Sequence, residues 1–315
     1  SGAYAVAMPG GRMARASVAG VTALIDLEQA FEPMEVVPGA PGTTTLLLSV
    51  GAGDTASASA GLQPMHPDPL PEGGFSLVRA TGRVRGSDGG AEATVTVQRQ
   101  DSDGVWRDLD RLGTAPDGSF DAEVADLGGP MRFLASAPGR DGGAPVEVDP
   151  RSMASLDLEI GPAGRIAFVI DDGEGPLPAR VELERDDGRV QVFFPLPGDA
   201  ASPLPPGHWR AWLSHGITHA LVETEVDVPA GGEAVLSASL PRLLDTEGWL
   251  AMDSHVHAGP SPDSTVLAED RSRTAAATGL DVMIHTDHEV IADLGGVEAA
   301  LGLDDVLTSI AGQEV

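Results

Sequence analysis

Two histidines separated by a single residue, His255 and His257, follow the short apolar run Trp249–Met252. The carboxylate of Asp263 comes in the next stretch of chain. Imidazole nitrogens and carboxylate oxygens, without thiolates, are ligands that suit Zn, Mn or Fe. Alternate residues of an extended strand point to the same side, so both imidazoles are expected to reach one metal ion.

The chain around these histidines alternates short apolar runs with segments of helical propensity. Residues 264–278 begin with Ser and Thr, carry acids in the first turns and precede Gly279, which predicts a helix. A second helix is predicted around Val297–Leu301. Strands are predicted at residues 249–252, 281–284 and 307–310. Because strand–helix–strand units join parallel strands, we expect a parallel sheet.

The carboxyl ends of parallel strands meet at one rim of a sheet, where such folds build their sites. A divalent-metal site is therefore predicted at this rim. Its expected ligands are His255, His257, Asp263, His288 and Glu314. Asp287 is expected to orient one of these ligands through a hydrogen bond. His285, at the end of the second strand, is expected to pack or to cap the strand.

The motifs His255-Val-His257, Asp263-Ser264, Thr286-Asp-His288 and Gly312-Gln-Glu314 resemble the opening metal motifs of the PHP (polymerase and histidinol phosphatase) superfamily. The closer resemblance is to its CehA/McbA-family metallohydrolases. This resemblance implies a distorted seven-stranded β/α barrel with two or three metal ions. It further implies that His255, His257 and Glu314 hold the first ion, that Glu314 bridges to a second, and that Asp263 and His288 face a third.

The resemblance covers residues 246–315, which correspond to the N-terminal portion of a PHP-like domain. Members of the superfamily need further His and Asp ligands after the Gly-x-Glu motif, and the sequence ends one residue beyond Glu314. We therefore expect the first part of a barrel. The missing C-terminal half, as a separate chain, or self-association would complete it, or the sequence is a fragment.

Before this segment, three stretches share one plan of turns and alternating strands, which predicts tandem all-β sandwich modules. The plan resembles carboxypeptidase-regulatory-like modules, which act as spacers or surface modules. Strands 82–85 and 93–98 are expected to pair, as are strands 164–170 and 179–184. The predicted divisions are the C-terminal part of a module at residues 1–53, a linker at 54–75, and complete modules at 76–161 and 162–242.

Three other features of these modules have a structural and a functional interpretation. Asp-rich turns at residues 101–104, 171–174 and 186–188 suit calcium, but hairpin turns also demand Asp and Gly, and we favour turns. Trp209 and Trp212 are expected to form one buried face rather than a sugar-binding platform. His66, His208, His215 and His219 have no partner pattern and are expected at the surface.

Composition excludes several classes of function. The formal net charge is −29 and no cluster of basic residues occurs, so nucleic acid is not an expected partner. There are no cysteines, which excludes disulfides and thiolate metal sites. No apolar run is long enough to cross a bilayer, so membrane insertion is not expected. An extracytoplasmic location is expected from the type of module.

Two functions remain open from the sequence. The first is a metal-dependent, phosphoesterase-like hydrolase that uses metal-activated water on a small-molecule ester or phosphoester, with its later ligands missing here. The second is a non-enzymatic extracellular scaffold or surface-assembly protein with a structural PHP-like end.

Overall fold

A computed structural model describes residues 76–126 and 128–315, together with three strands at 2–7, 14–18 and 47–50. The predicted linker at 54–75 and most of the predicted first module lie outside these described residues. The chain divides after Pro162 into two compact units. Each unit is described by itself below.

The first unit contains a small antiparallel sheet. Its strands are β1 (Gly2–Ala7), β2 (Ala14–Val18) and β3 (Leu47–Val50). Strand β1 lies in the centre, with β2 and β3 on either side.

A β-sandwich completes the first unit. Its strands are β4 (Ser76–Gly86), β5 (Gly89–Gly90), β6 (Thr94–Gln100), β7 (Trp106–Gly113), β8 (Ser119–Asp126), β9 (Met131–Ser136), β10 (Val146–Val148) and β11 (Leu156–Glu159). One sheet has the order β10-β9-β6-β7, and in the other β4 lies between β8 and β11. Alternate residues of β6 and β9, such as Val95, Val97 and Phe133, are fully buried between the sheets.

The second unit begins with another β-sandwich. Its strands are β12 (Arg165–Asp171), β13 (Arg180–Arg185), β14 (Val190–Phe193), β15 (Ser202–Pro203), β16 (Gly207–Ser214), β17 (Val222–Val228) and β18 (Glu233–Ser239). The sheets have the orders β14-β13-β16-β17 and β15-β12-β18. Ile166, Leu183, Leu213 and Leu236 contribute to a closed core. Apart from the short strand β5, the strand order is the same as in the preceding sandwich.

The strands expected to pair at the start of each sandwich do not pair. Strand β4 bonds with β8 and β11, whereas β6 bonds with β7 and β9 in the facing sheet. Strands β12 and β13 are separated in the same way. The chain crosses between layers at these points, because each sheet must bury its apolar face against the other.

The two tryptophans of β16 do not share a face. They are three positions apart, so the period-two alternation of a strand places them on opposite sides. Trp209 is fully buried and donates its indole N–H to the Pro205 carbonyl, at 3.0 Å. Trp212 is half-buried, and the Arg210 guanidinium lies 5.7 Å from its ring centre. The expectation of one buried face was wrong.

The C-terminal segment has strands β19 (Met252–Val256), β20 (Val282–His285) and β21 (Thr308–Ala311). Helices α1 (Ala268–Ala277) and α2 (Gly295–Leu301) connect them. All three strands are parallel, in the order β19-β20-β21, as predicted. Gly279 ends α1 with a left-handed φ of 77°, and the Leu280 N–H bonds to the Ala275 carbonyl.

The described part of this segment forms an open three-stranded sheet, and no β/α barrel is found there. The prediction of a distorted PHP-type barrel is therefore not supported, whereas the β-sandwich prediction is. Helix α1 also begins later than expected, at Ala268 rather than Ser264. The Ser264 hydroxyl bonds the His257 carbonyl and the Val266 N–H, and no side chain caps the first turn of the helix.

Candidate metal centre

The carboxyl ends of the three parallel strands bring the predicted ligands together. His255 lies on β19, His257 directly follows it, His288 follows β20 and Glu314 follows β21. Two backbone bonds join the segments that follow β20 and β21: the Glu289 N–H donates to the Glu314 carbonyl at 3.0 Å, and the Glu314 N–H donates to the Asp287 carbonyl at 3.3 Å. A bulge in β19 accompanies the approach of the two histidines, whose rings stack with centres 4.9 Å apart.

Three donor atoms converge within this cluster. The Nε2 atoms of His255 and His257 lie 2.9 Å apart, and each lies 3.0 Å from Glu314 Oε2. Two imidazole nitrogens and a carboxylate oxygen that point at one position form a donor set suited to Zn or a similar divalent ion. His255 is exposed, so the position is open to solvent on one side.

The other ring nitrogen of His257 faces a second set of groups. His257 Nδ1 lies 2.9 Å from Asp263 Oδ1 and 3.1 Å from Ser261 Oγ. The second Asp263 oxygen, Oδ2, lies 3.3 Å from His288 Nε2. His257, Asp263 and His288 therefore form a further group that could hold a cation. A neutral imidazole offers one lone pair, so His257 can serve only one of the two positions.

The Asp263 carboxylate controls the charge of this group. A hydrogen bond from Ser261 and one from His257 lower the pKa of Asp263 to about 2. In return, the hydrogen bond with Asp263 raises the pKa of His257. A carboxylate on Nδ1 fixes the ring orientation and makes Nε2 a better ligand, as carboxylate–histidine pairs do in metal sites.

Asp287 and His285 lie beneath the cluster, and both are fully buried. The Asp287 carboxylate accepts the Ala258 N–H at 2.7 Å, so it holds the loop after His257 and contacts no histidine ring within hydrogen-bonding distance. Neither ring nitrogen of His285 has a hydrogen-bond partner, and burial lowers its pKa. This placement agrees with a packing role for His285.

Ser261 also belongs to the cluster, although it was not among the ligands expected from the sequence. Its hydroxyl donates to Asp263 Oδ1 at 2.6 Å and accepts the His288 backbone N–H at 3.2 Å. The hydroxyl thus joins the loop after β19 to the end of β20. Its place in the run Ser261-Pro-Asp-Ser264, next to Asp263, was the available signal.

The Asp-rich turns are occupied by turn hydrogen bonds. Asp101 accepts the backbone N–H groups of Asp103 and Val105, and Asp172 accepts those of Glu174 and Gly175. These bonds account for the aspartates without calcium and favour the turn interpretation.

Comparisons with known proteins do not assign the chain to a family. No family model and no curated protein matches it. Among solved structures it resembles a streptococcal ancillary pilin (13% identity, 54% of this chain and 63% of that one, TM-score 0.30). It also resembles the minor pilin GBS52 of Streptococcus agalactiae, with 13% identity over 53% of this chain and 97% of that one and a TM-score of 0.28. A third similar structure is the shaft pilin SpaA of Lactobacillus rhamnosus GG, with 10% identity over 54% of this chain and 100% of that one and a TM-score of 0.26.

These comparisons correct the identification made from the sequence. The solved structures named above are pilins, not hydrolases, and nothing among the matches indicates a PHP domain. The predicted membership of the PHP superfamily and its CehA/McbA branch was wrong. The predictions of a metal-dependent hydrolase and of an enzyme were wrong on the same finding. The four sequence motifs were too short to identify a superfamily or an enzymatic activity.

Proposed function

We propose that the chain is a non-enzymatic scaffold or assembly protein of a cell surface. The observation that carries this proposal is the pair of consecutive β-sandwiches with one strand order. Each buries its apolar residues in its own closed core, so such modules suit a spacer that holds other parts of a protein apart. The net charge of −29 keeps such a protein soluble and repels nucleic acid.

We further propose that the C-terminal segment binds a divalent ion, Zn, Mn or Fe, in a structural role. His255, His257 and Glu314 would hold it, and Asp263 would orient His257. His288, beside Asp263, supplies part of a second position. An ion on these ligands links residues at the two edge strands of the sheet, β19 and β21. Binding to the folded state alone adds to the free energy of unfolding.

The proposed metal role is tested by titrating ZnCl₂ or MnCl₂ into the full chain freed of metal by EDTA. We expect the midpoint of thermal unfolding to rise with metal concentration, and His255→Ala or Glu314→Ala to remove most of that rise. His208→Ala is the matched control, because His208 lies on β16 beside Asp227 and outside the cluster. An unchanged midpoint with both metals would contradict the structural role.

The non-enzymatic and surface parts of the proposal need separate measurements. Turnover of a chromogenic phosphodiester by the metal-loaded chain, abolished by His255→Ala, would refute the non-enzymatic assignment. Antibodies against the chain should label intact cells of the source organism without permeabilisation. Labelling confined to permeabilised cells would refute the surface assignment.

A further inference from the structure

Two histidines of the second sandwich are buried, although surface positions were expected for them from the sequence. His215 and His219 flank the loop after β16 and are 9% and 6% exposed. Their rings meet edge to face, with centres 4.8 Å apart. The other histidine ring pairs in the described residues, His255 with His257 and His257 with His288, lie beside carboxylates.

Each imidazole of this pair has one hydrogen-bonded ring nitrogen, and one further ring nitrogen, on His219, has no partner. His215 Nδ1 donates to the Pro178 carbonyl at 2.8 Å, and His219 Nδ1 lies 2.9 Å from the Thr218 hydroxyl. His219 Nε2 is buried and has no hydrogen-bond partner. A protonated imidazole carries two N–H donors, so a proton on Nε2 of His219 would be buried without an acceptor.

The loop between these histidines sits against the C-terminal end of α1. A Cβ atom on Gly216 would lie 2.4 Å from the Thr278 carbonyl oxygen, so the two backbones are in close approach. A Cβ atom on Gly279 would lie 3.4 Å from His215 Nε2. The His215 ring therefore packs directly on the residue that ends the helix.

Two more contacts connect α1 and its neighbours to the same sandwich. Arg273 forms a two-bond ion pair with Asp199, at 2.5 and 3.2 Å. Leu196 packs with Ala276 of α1 and with Leu303. Neither contact contains a histidine, whereas the loop against the end of α1 carries His215 and His219.

We propose that His215 and His219 form an acid-sensitive latch, which holds the end of α1 on the sandwich when neutral and releases it when protonated. Protonation would place two positive charges about 5 Å apart in a site with one buried, unpaired N–H. The loop then moves into water, where both charges are solvated. The helix end loses the surface on which Gly279 rests. This latch is independent of the proposed metal site.

The charged groups around the pair come from two neighbouring segments. Asp172, after β12, attracts the protonated forms, whereas Arg242, after β18, opposes them. The helix end contributes only backbone groups over Thr278–Leu280, which has no ionisable side chain. Burial is the largest cause, and it lowers the pKa of both histidines below the ordinary value of 6.5.

The direction of the pH effect follows from these shifts. The unfolded or released loop takes up protons as the pH falls below 6.5, whereas the docked loop resists them until a lower pH. Stability from the latch is therefore complete above pH 6.5 and is lost as the pH falls from 6.5 through the lowered pKa values.

Hydrogen exchange of the full chain in EDTA, measured by mass spectrometry at pH 7.5 and 5.0, tests the latch. After correction for intrinsic exchange, protection of the segment 272–280 should fall at least about tenfold at pH 5.0. The double variant His215→Gln with His219→Gln should lose this difference between the two pH values. His208→Gln, on β16 of the same sandwich, should retain it. Equal protection at both pH values in the unaltered chain would overturn the proposal.

If the double variant fails to fold, a pH titration of the unaltered chain tests the latch instead. Histidine ring protons followed by NMR should show His215 and His219 titrating below pH 6.5, with the amide signals of Thr278 and Gly279 moving at the same pH. A pKa at or above 6.5 for both histidines would overturn the proposal. So would titration without any change at Thr278 and Gly279.

Discussion

At the scale of single residues, Asp263 connects two histidines through different oxygens. Oδ1 lies 2.9 Å from His257 and Oδ2 lies 3.3 Å from His288. Ser261 also donates to this carboxylate, so its negative charge is stabilised before any ion binds. The carboxylate therefore sets the ring orientation of His257 and the charge of the cluster together.

Replacing Asp263 by Asn should weaken the affinity for Zn²⁺ by about 10- to 100-fold, because His257 loses the partner that orients it. Isothermal titration calorimetry of the full chain at pH 7.5 measures this change. Asp227→Asn is the matched control, since Asp227 contacts His208 at the same 2.9 Å but lies on β17. An Asp263→Asn chain with unchanged affinity would mean that the carboxylate does not act on the site.

At the scale of elements, the alternation of β16 separates residues that look alike in sequence. Trp209 fills the core between the two sheets, whereas Trp212 lies on the outer face beneath Arg210. Their energetic contributions should differ, because deleting a buried ring leaves a cavity and deleting a half-exposed ring does not.

Trp209→Ala should lower the free energy of unfolding by about 3–5 kcal/mol. Trp212→Ala, the matched change on the same strand, should cost about 1 kcal/mol, which is mainly its contact with Arg210. Urea unfolding of the full chain, followed by far-ultraviolet circular dichroism, measures both. Similar losses for the two variants would contradict the assignment of the faces.

The sequence predicted individual strands better than their partners. Period-two alternation identifies a strand such as β6, but it does not say which of two sheets the strand joins, so the pairing with β4 was wrong. The carboxyl ends of parallel strands meet at one edge of a sheet, and this depends only on strand direction. The clustering of His255, His257, His288 and Glu314 was therefore predictable from the sequence. The hydroxyl of Ser261 carried no comparable pattern. The barrel was inferred from short sequence motifs, and such motifs do not determine how many strands a sheet contains.

At the scale of the whole molecule, the excess of acidic groups opposes folding. Many described arginines lie in exposed pairs with aspartates, such as Arg79 with Asp121 and Arg83 with Asp117, which contribute little each. The remaining carboxylates repel one another in the folded chain, and dissolved salt screens this repulsion.

Raising NaCl from 0.05 to 1 M at pH 7.5 should therefore raise the thermal midpoint of the chain freed of metal. At pH 4.3, near the isoelectric point of the sequence, the same addition should give little or no gain, because the net charge is then near zero. Differential scanning calorimetry at the two pH values makes the comparison. A midpoint that falls with salt at pH 7.5 would show that ion pairs outweigh the repulsion.

In both sandwiches the first and last strands run side by side in the same direction: β4 with β11, and β12 with β18 over Arg165–Asp171. The chain thus enters such a module at one end and leaves from the other. A pulling force on its two ends slides these neighbouring strands past each other, so their hydrogen bonds bear the load together rather than opening one after another. A module whose first and last strands pair in parallel therefore resists a pulling force applied between its two ends.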